Sequence, residues 1–175
     1  MPADAEMLSV FGVVVFAVHS WSVGGFLYHL PYFVLKKPFG DLAGVLSYYL
    51  VFALLESVLV STALVALAAV LPAKWLRDGF AFKGTLITAA AAAMSIMLQE
   101  SPAYETFTFE LPNDPSLMLR LGGIPLLFLA VYLLSTRIPK ITKWTLFVAE
   151  QVSIMLFIYM PLDVLGLVVT AIRLV

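Results

Sequence analysis

Residues 42–71 read LAGVLSYYLVFALLESVLVSTALVALAAVL, a stretch in which Glu56 is the only charged residue and proline is absent. The stretch is longer than the roughly 20 apolar residues that a helix needs to cross the hydrocarbon core of a bilayer. A helix is the expected structure because it satisfies every backbone N–H and C=O group internally, where lipid offers no hydrogen bonds. Residues 42–71 are therefore predicted to form a transmembrane helix.

Four further apolar stretches resemble this one, and proline marks the boundaries between them. Pro38, Pro72, Pro112 and Pro139 all fall between the stretches, where proline does not break a helix. We therefore predict an all-α polytopic membrane protein, a single domain of residues 1–175 built as a bundle of five transmembrane helices. The predicted spans are residues 7–35, 42–71, 84–99, 116–135 and 144–173.

The composition indicates that lipid, rather than water, surrounds most of the chain. Hydrophobic residues make up 62% of the sequence and charged residues 12%, with a mean hydropathy of +1.03. Soluble domains have about 45–50% apolar and about 25% charged residues, so a soluble fold would lack the polar residues to cover its surface. The acidic start of the chain, with Asp4 and Glu6, is unlike a signal peptide, and we expect the first segment to remain as a span.

The composition also excludes several functional classes. A net charge of −1 gives no basic surface for nucleic acid. The chain has no cysteine, so it cannot hold a zinc–thiolate site or an iron–sulfur cluster. The only two histidines, His19 and His29, lie in one segment, which argues against a bis-histidine haem. No metal and no cofactor is predicted; the expected partners are the lipid bilayer and, as further candidates, other membrane subunits or a second copy of the chain.

Lysine and arginine predict the orientation of the bundle. With five spans, the N-terminus shares one side with residues 72–83 and 136–143, and this side carries six of the ten basic residues. Cytoplasmic loops have an excess of lysine and arginine, whereas residues 99–116 contain four acidic residues and no basic one. We therefore predict a protein of the plasma (inner) membrane with its N-terminus in the cytoplasm and its C-terminus outside.

Two ionisable residues are predicted to lie at mid-membrane depth, His19 in the first span and Glu56 in the second. Charged groups at this depth cost roughly 2.5–3.5 kcal/mol on insertion scales, and they usually pair or line a pathway. We predict that His19 and Glu56 form an intramembrane polar pair. The pair has two interpretations, a structural hydrogen bond inside the bundle or part of a ligand or ion pathway.

A second group of polar residues is predicted near the membrane faces. Glu100, Arg120 and Asp163 fall toward the outer face by the parity of the spans, so Arg120 is expected to contact Asp163 or Glu100 as a charge cluster. Glu150 and Gln151 are predicted near the inner end of the last span. These inner residues complete the set of candidate site residues.

Three functions are compatible with these features. The first is a small accessory or assembly subunit of a membrane complex, since the loops are short and no site motif occurs. The second is a small transporter, channel or ligand-binding membrane protein that uses Glu56 and His19. The third is an intramembrane lipid-modifying enzyme with Glu56, Glu150 or Asp163 as acid or base; it is the least favoured, because the sequence has no nucleophile or metal constellation, and no catalytic residue is assigned. A polar cavity that reaches Glu56 would favour the second function.

Overall fold

The protein is all-helical. The structure is a computed structural model that describes residues 2–99 and 115–174, without the side chains of residues 99, 115–118, 120, 121 and 174. No strand occurs in these ranges. The helices are α1 (Asp4–Lys36), α2 (Phe39–Val70), α3 (Phe80–Gln99), α4 (Pro115–Ser135), α5 (Pro139–Ser153) and α6 (Leu156–Leu174).

The helices form the predicted five-helix bundle, because α5 and α6 together make one long segment. Four segments are long and apolar enough to cross a membrane: α1, α2, α3 and the segment Pro139–Arg173; a shorter apolar stretch, Gly122–Ser135, lies in α4.

Proline lies at the start of several helices. Pro38 caps the start of α2, and Pro115 and Pro139 are the first residues of α4 and α5, positions at which the missing N–H group costs nothing.

The last segment is interrupted at Ile154 and Met155. Both residues bond through their backbone N–H groups to carbonyls three residues earlier, Gln151 and Val152, which tightens the helix into a single 3₁₀-type turn. The turn changes which neighbour the segment packs against, since α5 lies mainly along α1 and α6 lies mainly along α2. The predicted span 144–173 thus consists of two helices with different neighbours.

The end of the bundle that carries Lys74, Arg77, Lys83 and Lys140, here called the basic end, contains the main hydrophobic core. There α1, α2, α3 and the turn between α2 and α3 contribute a cluster of buried side chains, Val10, Val14, Leu64, Ala68, Leu76 and Phe80. α1 packs against both α2 and α3, but α2 and α3 have few direct contacts with each other. The shared core and α1 therefore hold these two helices in place.

A guanidinium group joins two helices at the opposite end of the bundle. Arg173 in α6 donates from Nη2 to the Gly40 carbonyl at 2.7 Å and to Asp41 Oδ1 at 2.9 Å. The guanidinium lies against Gly44, where any side chain would overlap it. Arg173 is part-exposed, so this ion pair contributes little to stability and mainly fixes where α6 ends against α2.

Small residues let α1 approach α5 closely. A Cβ atom placed on Gly12 would lie 2.7 Å from Ser153 Cβ and 2.8 Å from Ser153 Cα. The Ser153 hydroxyl is hydrogen-bonded to the carbonyls of Ala149 at 2.7 Å and Ser9 at 3.2 Å. Because helices in lipid gain little from hydrophobic attraction to each other, close packing at such positions is a main source of their association.

We expect Gly12→Ala to destabilise the protein, because the new methyl group meets the Ser153 backbone and forces the helices apart. Overpacking of this kind costs about 1–3 kcal/mol. Thermal unfolding in mild detergent should show a lower midpoint. The matched control is Gly24→Ala in the same helix, where a Cβ atom meets nothing within 4 Å and alanine favours helix by about 0.5–1 kcal/mol. Equal midpoints for the two variants would contradict this packing.

Candidate functional site

His19 lies in a buried seam between α1 and α6. Its side chain is 0% exposed, and its partner Asp163 is 3% exposed. His19 Nε2 lies 2.8 Å from Asp163 Oδ1, and His19 Nδ1 lies 2.9 Å from the Val15 carbonyl oxygen. Both ring nitrogens are thus hydrogen-bonded, as burial of polar groups at this depth requires.

These two contacts determine how many protons the pair holds. A carbonyl oxygen can only accept, so Nδ1 donates its proton to Val15. The contact between His19 Nε2 and Asp163 then contains one further proton, held either by the imidazolium or by the carboxyl group. In both arrangements the net charge of the pair is zero, which is the state that a low-dielectric seam tolerates best.

Tyr159 connects the seam to the surface of α1. Its ring packs on the His19 imidazole with 4.8 Å between centroids, and its hydroxyl lies 3.3 Å from the Ser20 hydroxyl. Tyr159 precedes Asp163 by four residues, so the two side chains lie on the same face of α6. One turn of α6 therefore supplies both the acid and the aromatic ring that enclose His19.

The predicted His19–Glu56 pair does not form. Both nitrogens of His19 have other partners, and Glu56 is exposed, with no hydrogen bond or ion pair to any residue in the described part of the chain. The depth predicted for Asp163 is also corrected: Asp163 lies level with His19, in the middle of α1, and not at the end of its span. The physical reason is that sequence counting gives positions along each helix but neither the offset nor the rotation between helices.

The other predicted residues separate into two groups. Glu100 and the side chain of Arg120 lie outside the described residues, so the outer charge cluster stays a prediction. Glu150 and Gln151 are exposed on α5. In the described part of the chain no three His, Asp or Glu side chains come together as a metal site would require.

Glu56 faces a cavity of about 910 Å³ between α1, α2 and α3. Its volume is within the roughly 300–1,000 Å³ typical of small-molecule sites. The cavity adjoins the core of the basic end, since Val14 belongs to both. Its lining residues are Val14, Ala17, Val18, Ser20, Trp21, Ser22 and Gly25 from α1, Tyr48, Tyr49, Phe52, Glu56 and Val60 from α2, and Thr88, Ala91, Ala92, Ser95 and Ile96 from α3.

The wall supplied by α2 has a simple helical repeat. Tyr48, Phe52, Glu56 and Val60 are spaced four residues apart and all line the cavity, as residues on one helix face should. Among the described lining residues Glu56 alone is charged. This spacing is the signal in the sequence that groups Glu56 with aromatic residues; no comparable signal links Asp163 or Tyr159 to His19.

We expect Asp163→Leu to destabilise the protein strongly, because it leaves the His19 Nε2 atom buried without a partner. Loss of one member of a buried pair costs about 3–5 kcal/mol. Asp163→Asn should cost less, since its amide N–H can donate to Nε2 of a neutral His19. The measurement is reversible unfolding in detergent, with Glu56→Gln as the exposed-carboxylate control that should change stability little.

A double variant completes this test. If the two side chains interact, Asp163→Leu combined with His19→Leu should be less destabilising than the sum of the single changes. If the double variant loses as much stability as the two single variants together, or if the Asp163→Leu protein is as stable as the parent, the seam does not contain this hydrogen bond.

Comparison with models of protein families, with curated proteins and with solved structures gave no match.

Proposed function

We propose that the protein is a ligand-binding membrane protein that holds a small, largely apolar molecule in the cavity between α1, α2 and α3. The single observation that supports this function is the presence of Glu56 in a cavity of about 910 Å³. Binding sites for small molecules combine apolar walls with a small number of polar groups that orient the ligand. The cavity has this composition, with one carboxyl group among mainly apolar and aromatic residues.

The side chains that line the cavity favour an open space over close packing of α2 against α3. On α3 the wall consists largely of small residues, among them Ala91, Ala92 and Ser95, which cannot reach across to α2. At the basic end, Leu76 and Phe80 are buried in the core that packs α1, α2 and α3 together. The small side chains of α3 therefore leave the space between α3 and α2 unfilled.

The cavity lies at the middle of the bundle. Its lining extends along α2 from Val60 to Tyr48 and along α1 from Val14 to Gly25, and each of these stretches is centred on the middle of its helix. A ligand in the cavity would therefore lie at mid-membrane depth, beside Glu56.

We expect a neutral brominated alkyl probe, 11-bromoundecanol, to bind saturably in this cavity, because bromine quenches tryptophan fluorescence at short range and Trp21 lines the wall. The measurement uses the protein in lipid nanodiscs with Trp75→Phe and Trp144→Phe, so that Trp21 is the only tryptophan, and it excites tryptophan selectively over tyrosine. A second protein that retains only Trp144, exposed on α5, should show quenching that rises linearly with the probe in the bilayer.

A cavity-filling variant is the control for this experiment. Ala92→Phe should abolish the saturable phase, because a ring of this size occupies the space between α3 and α2. Ala63→Phe, on an exposed part of α2 outside the cavity, should leave the phase intact. Linear quenching of Trp21 with no saturable phase in the parent protein would refute the proposed function.

A second candidate is an accessory subunit of a membrane complex, and the surface of α5 favours it. Glu150 and Gln151 are exposed there beside the exposed apolar side chains Phe147 and Val148. Ionisable groups within membrane segments usually face protein, so this surface would suit a partner helix. Intact-particle mass spectrometry after gentle purification decides between the two candidates: the subunit function requires a stoichiometric partner, whereas a protomer that binds the probe alone is evidence against it.

A further inference from the structure

We infer that the ligand of the cavity is a cationic amphiphile, a molecule with an ammonium-type head and a hydrocarbon tail. This inference rests on the proposed function and adds the chemical class of the ligand. Three features of the cavity support it, namely the charge of its lining, the position of its aromatic rings and the apolar character of its deeper part.

The first feature is the charge. Glu56 lies near the middle of α2, and among the lining residues in the described chain there is no lysine, arginine or histidine to neutralise it. An ionised carboxylate at this depth is costly without a counter-charge. A cationic head group placed beside Glu56 would supply that counter-charge, whereas an anionic ligand would add a second unpaired negative charge to the same space.

The second feature is the aromatic lining around the acid. Phe52 and Tyr48 lie one and two turns of α2 from Glu56, and Trp21 faces the same cavity from α1. Their side chains remain available, with exposed fractions of 62% for Phe52, 39% for Tyr48 and 44% for Trp21. Aromatic faces attract organic cations, tryptophan most strongly, and aromatic cages recognise quaternary ammonium groups in this way.

The third feature is the deeper part of the cavity. One turn beyond Glu56 toward the basic end, α2 presents Val60, and α1 presents Val14 and Val18. These three side chains offer no hydrogen-bonding group, and α3 adds the hydroxyl of Thr88 at this end of the lining, so this part is mainly apolar and suits a hydrocarbon tail. Ser22 and Ser95 lie at the other end of the lining, nearer Tyr48, where hydroxyl groups can accompany a polar head. The cavity thus changes from polar and aromatic to mainly apolar along its length.

The test compares two probes of equal tail length in the Trp21-only protein, 11-bromoundecyltrimethylammonium and neutral 11-bromoundecanol. The cation should bind about tenfold more tightly than the neutral probe to the parent cavity, which corresponds to about 1.4 kcal/mol. Glu56→Gln should remove this preference, so that the variant binds the two probes with equal affinity. Saturable binding of the neutral probe by the variant shows that its cavity is still present. A permanently charged head makes the result independent of ligand protonation.

Two controls separate the charge effect from changes elsewhere. Asp78→Asn removes one negative charge from the exposed turn before α3 and should leave the preference for the cation in place. The anionic probe 11-bromoundecanoate should be excluded from the parent cavity at pH 8 and admitted after Glu56→Gln.

Each outcome bears on one of the two proposals. Saturable binding of both probes with equal affinity, unchanged by Glu56→Gln, would overturn the cationic ligand class and leave the ligand-binding function standing. If Asp78→Asn lost the preference for the cation as completely as Glu56→Gln does, the cationic ligand class would also be overturned, because the preference would then depend on the net charge of the protein alone. Absence of saturable binding by either probe would overturn the proposed function itself.

Discussion

The hydrogen bond between His19 and Asp163 is the interaction that organises the polar groups of this bundle. In a chain surrounded by lipid, a buried imidazole must satisfy both nitrogens, and here the Val15 carbonyl and the Asp163 carboxyl do so at 2.9 and 2.8 Å. The bond joins the first span to the last and places Tyr159 over the imidazole ring. The pair is neutral as a whole, so it joins α1 and α6 without adding a net charge to the apolar interior.

Because Asp163 satisfies His19, Glu56 is free to face the cavity between α1, α2 and α3. Asp163 and Glu56 therefore differ in role: Asp163 is buried in a seam that holds helices together, and Glu56 lines a space of about 910 Å³. The seam and the cavity meet at Ser20, whose hydroxyl lies 3.3 Å from that of Tyr159 and whose side chain lines the cavity. A ligand beside Ser20 would thus lie next to the residues that fix α6.

The helical segments could be predicted from the sequence because the length of an apolar stretch and the position of proline determine helix ends locally, as in residues 42–71 and at Pro139. It paired His19 with the wrong acid, because Asp163 is 144 residues away and the rotation of α6 depends on the turn at Ile154 and Met155. The cavity was also beyond prediction, since it depends on how α2 and α3 pack against α1 and on the small residues of α3. The spacing of Tyr48, Phe52 and Glu56 indicated that these residues share one face of α2, but it did not indicate the cavity that this face lines.

The most direct test of this account is a solid-state NMR measurement of the distance from the His19 ring to the labelled acids. In the His29→Gln protein, ¹⁵N-histidine labels only His19, and dipolar dephasing can be recorded with ¹³C in the carboxyl groups of either aspartate or glutamate. The account predicts strong dephasing of Nε2 with labelled aspartate, lost in Asp163→Leu, and none with labelled glutamate. Dephasing with glutamate alone would place Glu56 beside His19 and contradict both the seam and the cavity.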